Sequence, residues 1–342
     1  MIKNVGKSLC CFMSILLGIN LATISIATAD PALEKYFTAN AAYNRKLYPV
    51  AATQFESFLK VYSSHPKADL ALRGLALSNY ALKKYDAAIP SFAKLIAKQN
   101  LDKSINRERL IILQGKCMLQ TSQKDKAKEL FINEIKSLVN PSYKNSAIAL
   151  IIDISFGKAN WDDVIKWTPQ IKSLNPSAEQ LTRSLYQLGF AYYQKDLIPQ
   201  AIDSLNATPK ENISKKWKTR VSYLLGECYS KNNQLEAAES SLMIALEGMA
   251  DTEAGECHYR LGATRFLLKK YKKALTNFEQ YLSTNNKEET TNENLKRRQA
   301  SLYSGRIYYE LKDYIKAENA LQKLSEGNDN IACNSNFWLA RV

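Results

Sequence analysis

The sequence predicts an all-α protein made of stacked helix-turn-helix repeats, and three observations support this prediction. Only 12 Gly and 9 Pro occur among 342 residues, too few for the many turns of a multi-stranded fold. A triplet of one large, one small and one large apolar residue recurs eight times along the chain. Another position, usually small, lies twelve residues before the small residue of each triplet. Self-similarity at a fixed period is typical of a repeat protein.

Residues 1–29 have the layout of a secretory signal peptide. Two lysines within the first seven residues are the only charges before Asp30, and an apolar stretch at 9–19 follows them. The small side chains of Ala27 and Ala29 suit a signal peptidase that cuts before Asp30. We expect cleavage there and export to the periplasm of a Gram-negative-type bacterium, with secretion as the second choice.

The chain from Asp30 onward is expected to be basic and to have no integral membrane segment. No stretch in it approaches 18 consecutive apolar residues, whereas residues 8–29 could span a bilayer if they stayed uncleaved. The net charge is +14 for the whole chain, and loss of two lysines leaves +12. After export we expect acidic protein faces, acidic polymers or anionic lipid surfaces as partners, and no nucleic acid. The lysines are spread along the sequence, which favours solvated helix surface for most of them.

The triplets predict the second helix of each repeat. Offsets of three and four residues put all three side chains on one helix face. The fourth copy is one residue out of step at its last position. The copies are Tyr48/Ala51/Phe55, Tyr85/Ala88/Phe92, Lys124/Ala127/Phe131, Trp161/Val164/Trp167, Ile198/Ala201/Leu205, Leu235/Ala238/Leu242, Tyr271/Ala274/Phe278 and Tyr314/Ala317/Leu321.

The position twelve residues earlier predicts the first helix of each repeat, and we call it the crossing position. Small residues on two crossing helices let their backbones approach closely, so the small positions of the two helices are expected to meet. Successive crossing positions are 37, 39, 37, 37, 37, 36 and 43 residues apart, which indicates an array over nearly the whole chain. They are Ala39, Ala76, Gly115, Ile152, Gly189, Gly226, Gly262 and Gly305.

These repeats resemble tetratricopeptide repeats, whose pattern has Leu-Gly and an aromatic residue in the first helix and Ala and Phe in the second. The longer period and the Phe55-x-x-Phe58-Leu59 segment resemble the periplasmic branch with Tol-Pal-associated and outer-membrane-assembly (BamD-like) repeat proteins. The resemblance implies a right-handed superhelical solenoid over residues 30–342. The best matches are residues 188–192 with Ala201, residues 225–229 with Ala238, and Leu261-Gly262 with Ala274 and Phe278.

The resemblance divides residues 30–342 into eight repeats and a partial ninth. The spacing of 43 falls across Ser283 to Gln299, where we expect a mobile loop or longer facing helix ends. The last six residues match the beginning of a ninth first helix, which either caps the array or continues in a longer protein. The approximate bounds are 32–68, 69–107, 108–144, 145–181, 182–218, 219–254, 255–297, 298–332 and 333–342.

Four cysteines follow Asp30, and the repeat geometry predicts that none of them pairs within one chain. Cys117 and Cys228 occupy the same repeat position three repeats apart, roughly 30 Å at about 10 Å per helix layer. Cys228 and Cys257 lie in neighbouring first helices seven residues out of register, about 10 Å along the axis, which is beyond disulfide reach. We therefore expect free thiols at these positions and at Cys333.

No residue pattern points to catalysis. The chain has two histidines, His65 and His258, and the Cys257-His258 pair lacks the further ligands of a zinc site. The G-x-S-x-G, P-loop, H-E-x-x-H and dinucleotide-binding patterns are not found. Asp162-Asp163 begins a predicted second helix, where acidic side chains complement the helix dipole. We expect a non-enzyme with no catalytic residue, metal or cofactor.

The resemblance also implies a binding surface on the concave face, which the first helices line. Carried over to this chain, that surface takes positions six and three residues before, and one, four and five after, each crossing position. Tyr and Arg dominate these positions, and both types are enriched at interface hot spots. The alternative for each aromatic is packing between adjacent first helices. The residues are Tyr36, Tyr43, Arg73, Tyr80, Arg183, Tyr186, Phe190, Tyr193, Arg220, Tyr223, Tyr259, Phe266, Arg306 and Tyr309.

Three functions stay open at this stage. The first is an exported scaffold or adaptor that binds a protein or peptide along its concave face, in cell-envelope assembly or maintenance. The second is a glycan-binding scaffold of envelope polysaccharide export, in which the Tyr and Arg residues contact neutral or acidic sugars. The third is the helical accessory region of a longer envelope enzyme, whose catalytic domain would follow Val342. An open solenoid has no enclosed pocket for small-molecule chemistry, which favours the first.

Overall fold

The computed structural model describes residues 30–284 and 291–342, and every regular element within those ranges is a helix. The predicted signal peptide, residues 1–29, and residues 285–290 of the predicted loop lie outside the described residues. The helices are α1 Pro31–Asn44, α2 Tyr48–Val61, α3 Ala68–Ala81, α4 Tyr85–Ile96, α5 Arg107–Gln120, α6 Lys124–Glu134, α7 Pro141–Gly157, α8 Trp161–Trp167, α9 Ala178–Gln194, α10 Ile198–Asn206, α11 Lys215–Lys231, α12 Leu235–Gly248, α13 Gly255–Leu267, α14 Tyr271–Ser283, α15 Thr291–Glu310, α16 Tyr314–Gln322 and α17 Asn330–Leu339.

Odd-numbered helices are the first helices of the repeats, and even-numbered helices are the second ones. The described chain divides into two compact units, residues 30–91 with 99–105 and residues 92–98 with 106–342. In the first unit, α2 packs against α1 and α3. In the second unit, each helix from α5 to α17 packs on the next, and each first helix also contacts the following first helix. The prediction of an all-α fold of stacked helix pairs is confirmed.

Short polar side chains begin several of these helices, because they satisfy backbone N–H groups that have no partner inside the first turn. Asp30 accepts a hydrogen bond from the Ala32 N–H, and Asn160 accepts one from the Asp163 N–H. Asp162 and Asp163 lie in the first turn of α8, at the position predicted for them. Asn106, Asn140, Ser177, Asp313 and Asp329 cap other helices in the same way.

Each of the eight repeats turns from its first to its second helix through one residue with positive φ, seven residues after the crossing position. In the turn from α9 to α10, the Asp196 N–H donates to the Tyr193 carbonyl at 3.1 Å and the Leu197 N–H donates to the Tyr192 carbonyl at 2.9 Å. These two bonds close a Schellman motif, which normally prefers glycine at the left-handed position. The left-handed residues are Lys46, Lys83, Ser122, Ala159, Asp196, Asn233, Lys269 and Lys312.

The glycines at the crossing positions face large side chains, which differs from the predicted meeting of two small residues. A Cβ added to Gly226 would lie 2.5 Å from Leu242 Cγ, and one added to Gly189 would lie 2.6 Å from Leu205 Cγ. The turn is centred about eight residues after the crossing position, so the residue sixteen positions later lies directly opposite it. The same contact joins Gly115 to Phe131, Gly262 to Phe278 and Gly305 to Leu321.

Two repeats depart from the regular pattern. After α8, the chain continues as two short 3-10 helices, Thr168–Gln170 and Lys172–Leu174, because Pro169 has no N–H for another α-helical turn. The out-of-step fourth triplet therefore has the shortest second helix. In the repeat after the spacing of 43, α15 begins early and extends over 20 residues. The extra residues thus lengthen a first helix.

Cys117, Cys228 and Cys257 are buried thiols, and Cys333 is exposed. Burial raises the pKa of Cys117 to about 11 and those of Cys228 and Cys257 to about 12. The three buried cysteines are therefore protonated, unreactive core residues. His258, beside Cys257, is half-buried, and its Nδ1 lies 3.0 Å from Asn277 Nδ2.

Candidate functional site

Four first helices of the second compact unit line an open groove of about 720 Å³. Helices α5, α7, α9 and α11 contribute its walls, and no second helix takes part. Aromatic, charged and neutral polar side chains line the groove. Such a site offers both apolar contact area and directional polar groups, which is the composition of protein-binding hot spots.

A continuous run of rings joins neighbouring repeats along the groove. Phe156 of α7 packs edge-on against Phe190 of α9, with ring centroids 5.3 Å apart. Tyr186 follows at 6.4 Å from Phe190, and Trp217 of α11 lies 5.5 Å from Tyr186. Trp161, at the beginning of α8, contacts both Phe156 and Phe190. The rings therefore hold one another in place, and Phe156, Tyr186 and Trp217 among them line the groove.

Both carboxylates that line the groove already interact with other side chains or backbone groups of the protein. Asp153 Oδ2 lies 2.5 Å from Arg183 Nη2, and Gln187 Nε2 donates to Asp153 Oδ1 at 2.9 Å. Burial raises the pKa of Asp153, and the hydrogen bond from Gln187 and the charge of Arg183 oppose this shift. Glu179 accepts hydrogen bonds from the Ser214 N–H at 3.0 Å and from the Ser214 hydroxyl at 2.9 Å.

Three further cations line the groove. Lys116, Lys216 and Arg220 are exposed, and no carboxylate within residues 30–284 and 294–342 pairs with any of them. The Arg220 guanidinium lies over the Trp217 ring, 5.3 Å from its centroid, which fixes its position without neutralising its charge. The groove therefore carries net positive charge.

A second charged cluster lies on the next first helices of the same unit. Arg260 Nε lies 3.2 Å from Glu227 Oε1 and 3.1 Å from Glu256 Oε1, and Lys296 also pairs with Glu256 at 2.8 Å. Burial raises the pKa of Glu227, while the charge of Arg260 opposes that shift. Each charge of this cluster has an opposite partner, which distinguishes the cluster from the groove.

The structure brings together one part of the predicted binding surface. Arg183, Tyr186 and Arg220 line the groove, and Phe190 supports it as part of the ring run. Tyr193 and Tyr223 belong to the surroundings of Arg260 instead. These two tyrosines are half-buried, and neither lines the groove.

Two predicted surface residues are core residues, so their assignment to the binding face is wrong. Tyr36 is 6% exposed and packs against Phe55 and Phe58 of the second helix of its repeat. Tyr259 is 8% exposed and packs in the same way against two rings of α14. Both tyrosines lie three residues before a crossing position. A ring at this position is buried when the second helix of its repeat presents aromatic side chains that it can pack against.

Four further predicted residues bridge the turn of their own repeat. Each of these aromatic rings lies four residues after a crossing position and packs against the first residue of the second helix, with centroids 5.5–5.9 Å apart. The contact joins the two helix ends that flank the left-handed residue. The pairs are Tyr43 with Tyr48, Tyr80 with Tyr85, Phe266 with Tyr271, and Tyr309 with Tyr314.

The two remaining predicted residues make other contacts. Arg306 lies between two rings, 4.8 Å from the centroid of Phe266 and 4.8 Å from that of Trp338. Arg73 Nη1 donates to the Ser104 carbonyl at 3.4 Å within the first compact unit. Neither arginine lines the groove.

Several groove residues were missed by the sequence pattern. Lys116 and Asp153 each lie one residue after a crossing position, and Phe156 lies four after one, so the positions used for the other repeats would have found them. Their repeats are the degenerate third and fourth ones. Lys216 and Trp217 lie nine or ten residues before Gly226, at the beginning of α11, where the carried-over positions do not reach.

The described residues also bear on metal binding and membrane crossing. Within residues 30–284 and 291–342, His, Cys, Asp and Glu side chains nowhere gather in a group of three that could hold a metal ion. Over the same ranges, no helix has the length and apolar character needed to cross a membrane.

Comparison with known proteins identifies the repeats. Residues 38–102 and 219–247 each match a model of the tetratricopeptide repeat. The C-terminal part of a TPR repeat-containing protein from Cytophaga hutchinsonii is 17% identical, with 77% of this chain and 98% of that chain covered and a TM-score of 0.55. RapI in its apo form is 12% identical, with 91% of this chain and 97% of that chain covered and a TM-score of 0.53. At these identities the similarity is one of fold. No curated protein sequence matches the chain.

Proposed function

We propose that this chain, which contains tetratricopeptide repeats, is an exported, non-catalytic scaffold that binds a segment of a protein partner. The binding site is the groove lined by α5, α7, α9 and α11. The chain acts in the periplasm, in the assembly or maintenance of the cell envelope, like the Tol-Pal-associated and outer-membrane-assembly repeat proteins that its longer repeat resembles.

One observation carries this proposal: the groove combines a preformed run of rings with three cations that lack a carboxylate partner. Elsewhere on the first helices, the Arg260 cluster shows the contrasting arrangement, in which the charged groups pair with one another. Rigid aromatic rings supply binding energy at low entropic cost, and the unpaired cations attract a partner of opposite charge. A groove of this shape and composition supports contact with an extended or helical chain segment.

A cross-linking experiment tests the binding site. A photoreactive amino acid replaces Lys216 in the groove or Lys126 on the exposed side of α6, and the cells are irradiated before envelope proteins are extracted. We expect one defined protein product from position 216 that is sensitive to protease and resistant to glycan-digesting enzymes. Adding Tyr186→Ala with Trp217→Ala should remove that product, whereas adding Phe337→Ala, which changes an exposed ring of α17, should not.

The opposite results would contradict the proposal. A product from position 126 as strong as that from position 216 would mean nonspecific contact. A product removed by glycan-digesting enzymes would favour a glycan-binding scaffold. The helical circular-dichroism signal of the double variant must match that of the parent chain, so that unfolding does not explain a loss.

Export is tested separately by intact mass. The proposal requires that the chain recovered from a periplasmic fraction begins at Asp30, because the peptidase cuts after Ala29. A purified chain that retains Met1, or one confined to the cytosolic fraction, would contradict export and leave the binding site to be tested inside the cell.

A further inference from the structure

The cations of the groove are distributed unevenly along its length. Lys116 on α5 lies at one end, and Lys216 and Arg220 on α11 lie at the other. Arg183 on α9 lies between them, but its charge is neutralised by Asp153 of α7. The positive potential is therefore concentrated at the two ends of the groove.

The middle of the groove combines apolar side chains with neutral polar ones such as Ser146 and Gln180. Ala149, Leu150 and Phe156 of α7 and Tyr186 of α9 line it, and each of them is half-buried, with part of its surface open to the groove. The charged groups there are the Arg183–Asp153 pair and Glu179, whose carboxylate accepts hydrogen bonds from Ser214. A ligand that placed an isolated charge against this wall would lose hydration without gaining a partner.

The spacing of the helices sets the length of a ligand that reaches both ends. From α5 to α11 there are three steps between neighbouring first helices, and packed helices lie about 8–10 Å apart, which gives roughly 24–30 Å. An extended chain advances about 3.3 Å per residue, so about eight residues span the groove.

We propose that the partner segment is an extended acidic peptide with carboxylates at both ends and apolar residues between them. This inference rests on the proposed function and names the chemistry of its partner. Carboxylates at the ends form charge-assisted hydrogen bonds with Lys116 at one side and with Lys216 and Arg220 at the other. Apolar side chains between them pack on Leu150, Phe156 and Tyr186.

Synthetic peptides test this pattern directly. The probe is a fluorescein-labelled ten-residue peptide with two Asp residues at each end and a Leu- and Phe-containing uncharged centre, arranged symmetrically so that either chain direction fits. A control peptide of identical composition has the four Asp residues in its centre. By fluorescence anisotropy with the purified chain, we expect the probe to bind at least about tenfold more tightly than the control, and its affinity to fall as salt is raised.

Charge variants locate the contact. Lys216→Gln with Arg220→Gln should weaken binding of the probe about tenfold and flatten its salt dependence. A matched control, Lys126→Gln with Lys273→Gln, removes two exposed cations of second helices and should leave the affinity unchanged. Lys116→Gln should weaken the probe but not a shortened peptide with Asp residues at one end only. Circular dichroism confirms that each variant is folded.

Three outcomes overturn the inference. The first is equal binding of the probe and the control peptide, or loss of affinity in the Lys126/Lys273 control, either of which indicates nonspecific charge attraction. The second is tight binding of a peptide with Lys in place of Asp. The third is tighter binding of polygalacturonic acid than of the probe through the same three cations, which would assign the groove to an acidic glycan. If none of the peptides binds while the cross-link at position 216 still forms, this inference is wrong and the proposed function stands.

Discussion

Gly226 determines how closely α11 and α12 approach, because the Leu242 side chain of α12 occupies the space that a Cβ at this position would need. Gly226→Ala should therefore lower the free energy of unfolding by about 1–3 kcal/mol, as overpacking of a core does. Urea denaturation followed by circular dichroism measures this loss. Gly157→Ala is the matched control, since nothing lies within 4 Å of an added Cβ there. Combining Gly226→Ala with Leu242→Ala should cost less than the sum of the two changes.

Asp153 gives a pH-dependent effect at a single residue. Because burial raises its pKa above the ordinary value of 3.8, the folded chain binds this proton more readily than the unfolded chain. The carboxylate therefore lowers stability at pH values above its folded pKa, and this cost disappears as the pH falls toward 3.8. Asp153→Asn keeps a hydrogen-bond acceptor for Gln187 and leaves the half-exposed Arg183 solvated.

We expect Asp153→Asn to unfold at an equal or higher urea concentration than the parent chain at pH 7. The difference should shrink as the pH falls from 7 toward 3.8, since the parent becomes protonated as the pH passes through the raised pKa of Asp153. Urea midpoints at four or five pH values measure it. A variant that is clearly less stable at pH 7, with a gap that does not close in acid, would show that the ion pair with Arg183 outweighs the burial of the carboxylate.

Residue-level prediction from the sequence has a physical limit in this fold. The crossing glycines were recognisable because their spacing repeats, but their partners depend on where the turn is centred. Tyr36 and Tyr259 share a repeat position with Tyr186, yet only Tyr186 lines the groove. What separates them is whether the second helix offers rings to pack against, and that is a property of the pair of helices.

At the level of elements, the turns between paired helices carry backbone strain that glycine would relieve. Ala159 has φ of 54° and is exposed, and a left-handed conformation costs an L-residue with a Cβ roughly 1–2 kcal/mol. Ala159→Gly should raise the free energy of unfolding by about 0.5–1 kcal/mol after the extra entropy of glycine in the unfolded chain is counted. Thermal and urea denaturation both measure this gain.

The same substitution in regular helix should have the opposite sign. Lys126→Gly, at an exposed position inside α6, should cost about 1 kcal/mol, because glycine is a poor helix former there. If both glycine variants lost stability, the left-handed turn would not be strained. The helices themselves could be predicted from periodicity, whereas these turns could not, because Lys, Ser, Ala, Asp and Asn at the left-handed position give no recognisable signal.

At the level of the whole chain, the extensive contacts among the described helices of the second compact unit join helices that are one or two places apart. Coupling in such an array is between nearest neighbours. Gly226→Leu should therefore increase amide hydrogen exchange in α9 to α14 and leave α5 to α7 and α17 close to their original protection. Exchange followed by mass spectrometry measures this pattern. A uniform loss of protection over the second unit would instead show that it unfolds as one cooperative body.

The array could be predicted from α1 to α17 because a period is a global property that survives degenerate repeats. The groove could be predicted only in part. Arg183, Tyr186, Phe190 and Arg220 came from well-matched repeats, whereas the α5 and α7 residues lie in repeats whose sequence has drifted from the pattern. Charge pairing, which decides that Lys116 is available and Arg183 is not, depends on side-chain distances that no spacing reveals.

Spacings along the sequence are constant within a repeat but vary from one repeat to the next. This difference has a practical consequence for engineering. From each crossing position the turn residue always follows by seven and the second small residue by twelve, while consecutive repeats are 36 to 43 residues apart. The differences in length therefore fall between the second small residue of one repeat and the crossing position of the next, as in the lengthened α15. A tag, a reporter domain or a complete additional repeat should be spliced in there, for instance between α12 and α13, and the same insertion inside a helix pair should not be tolerated.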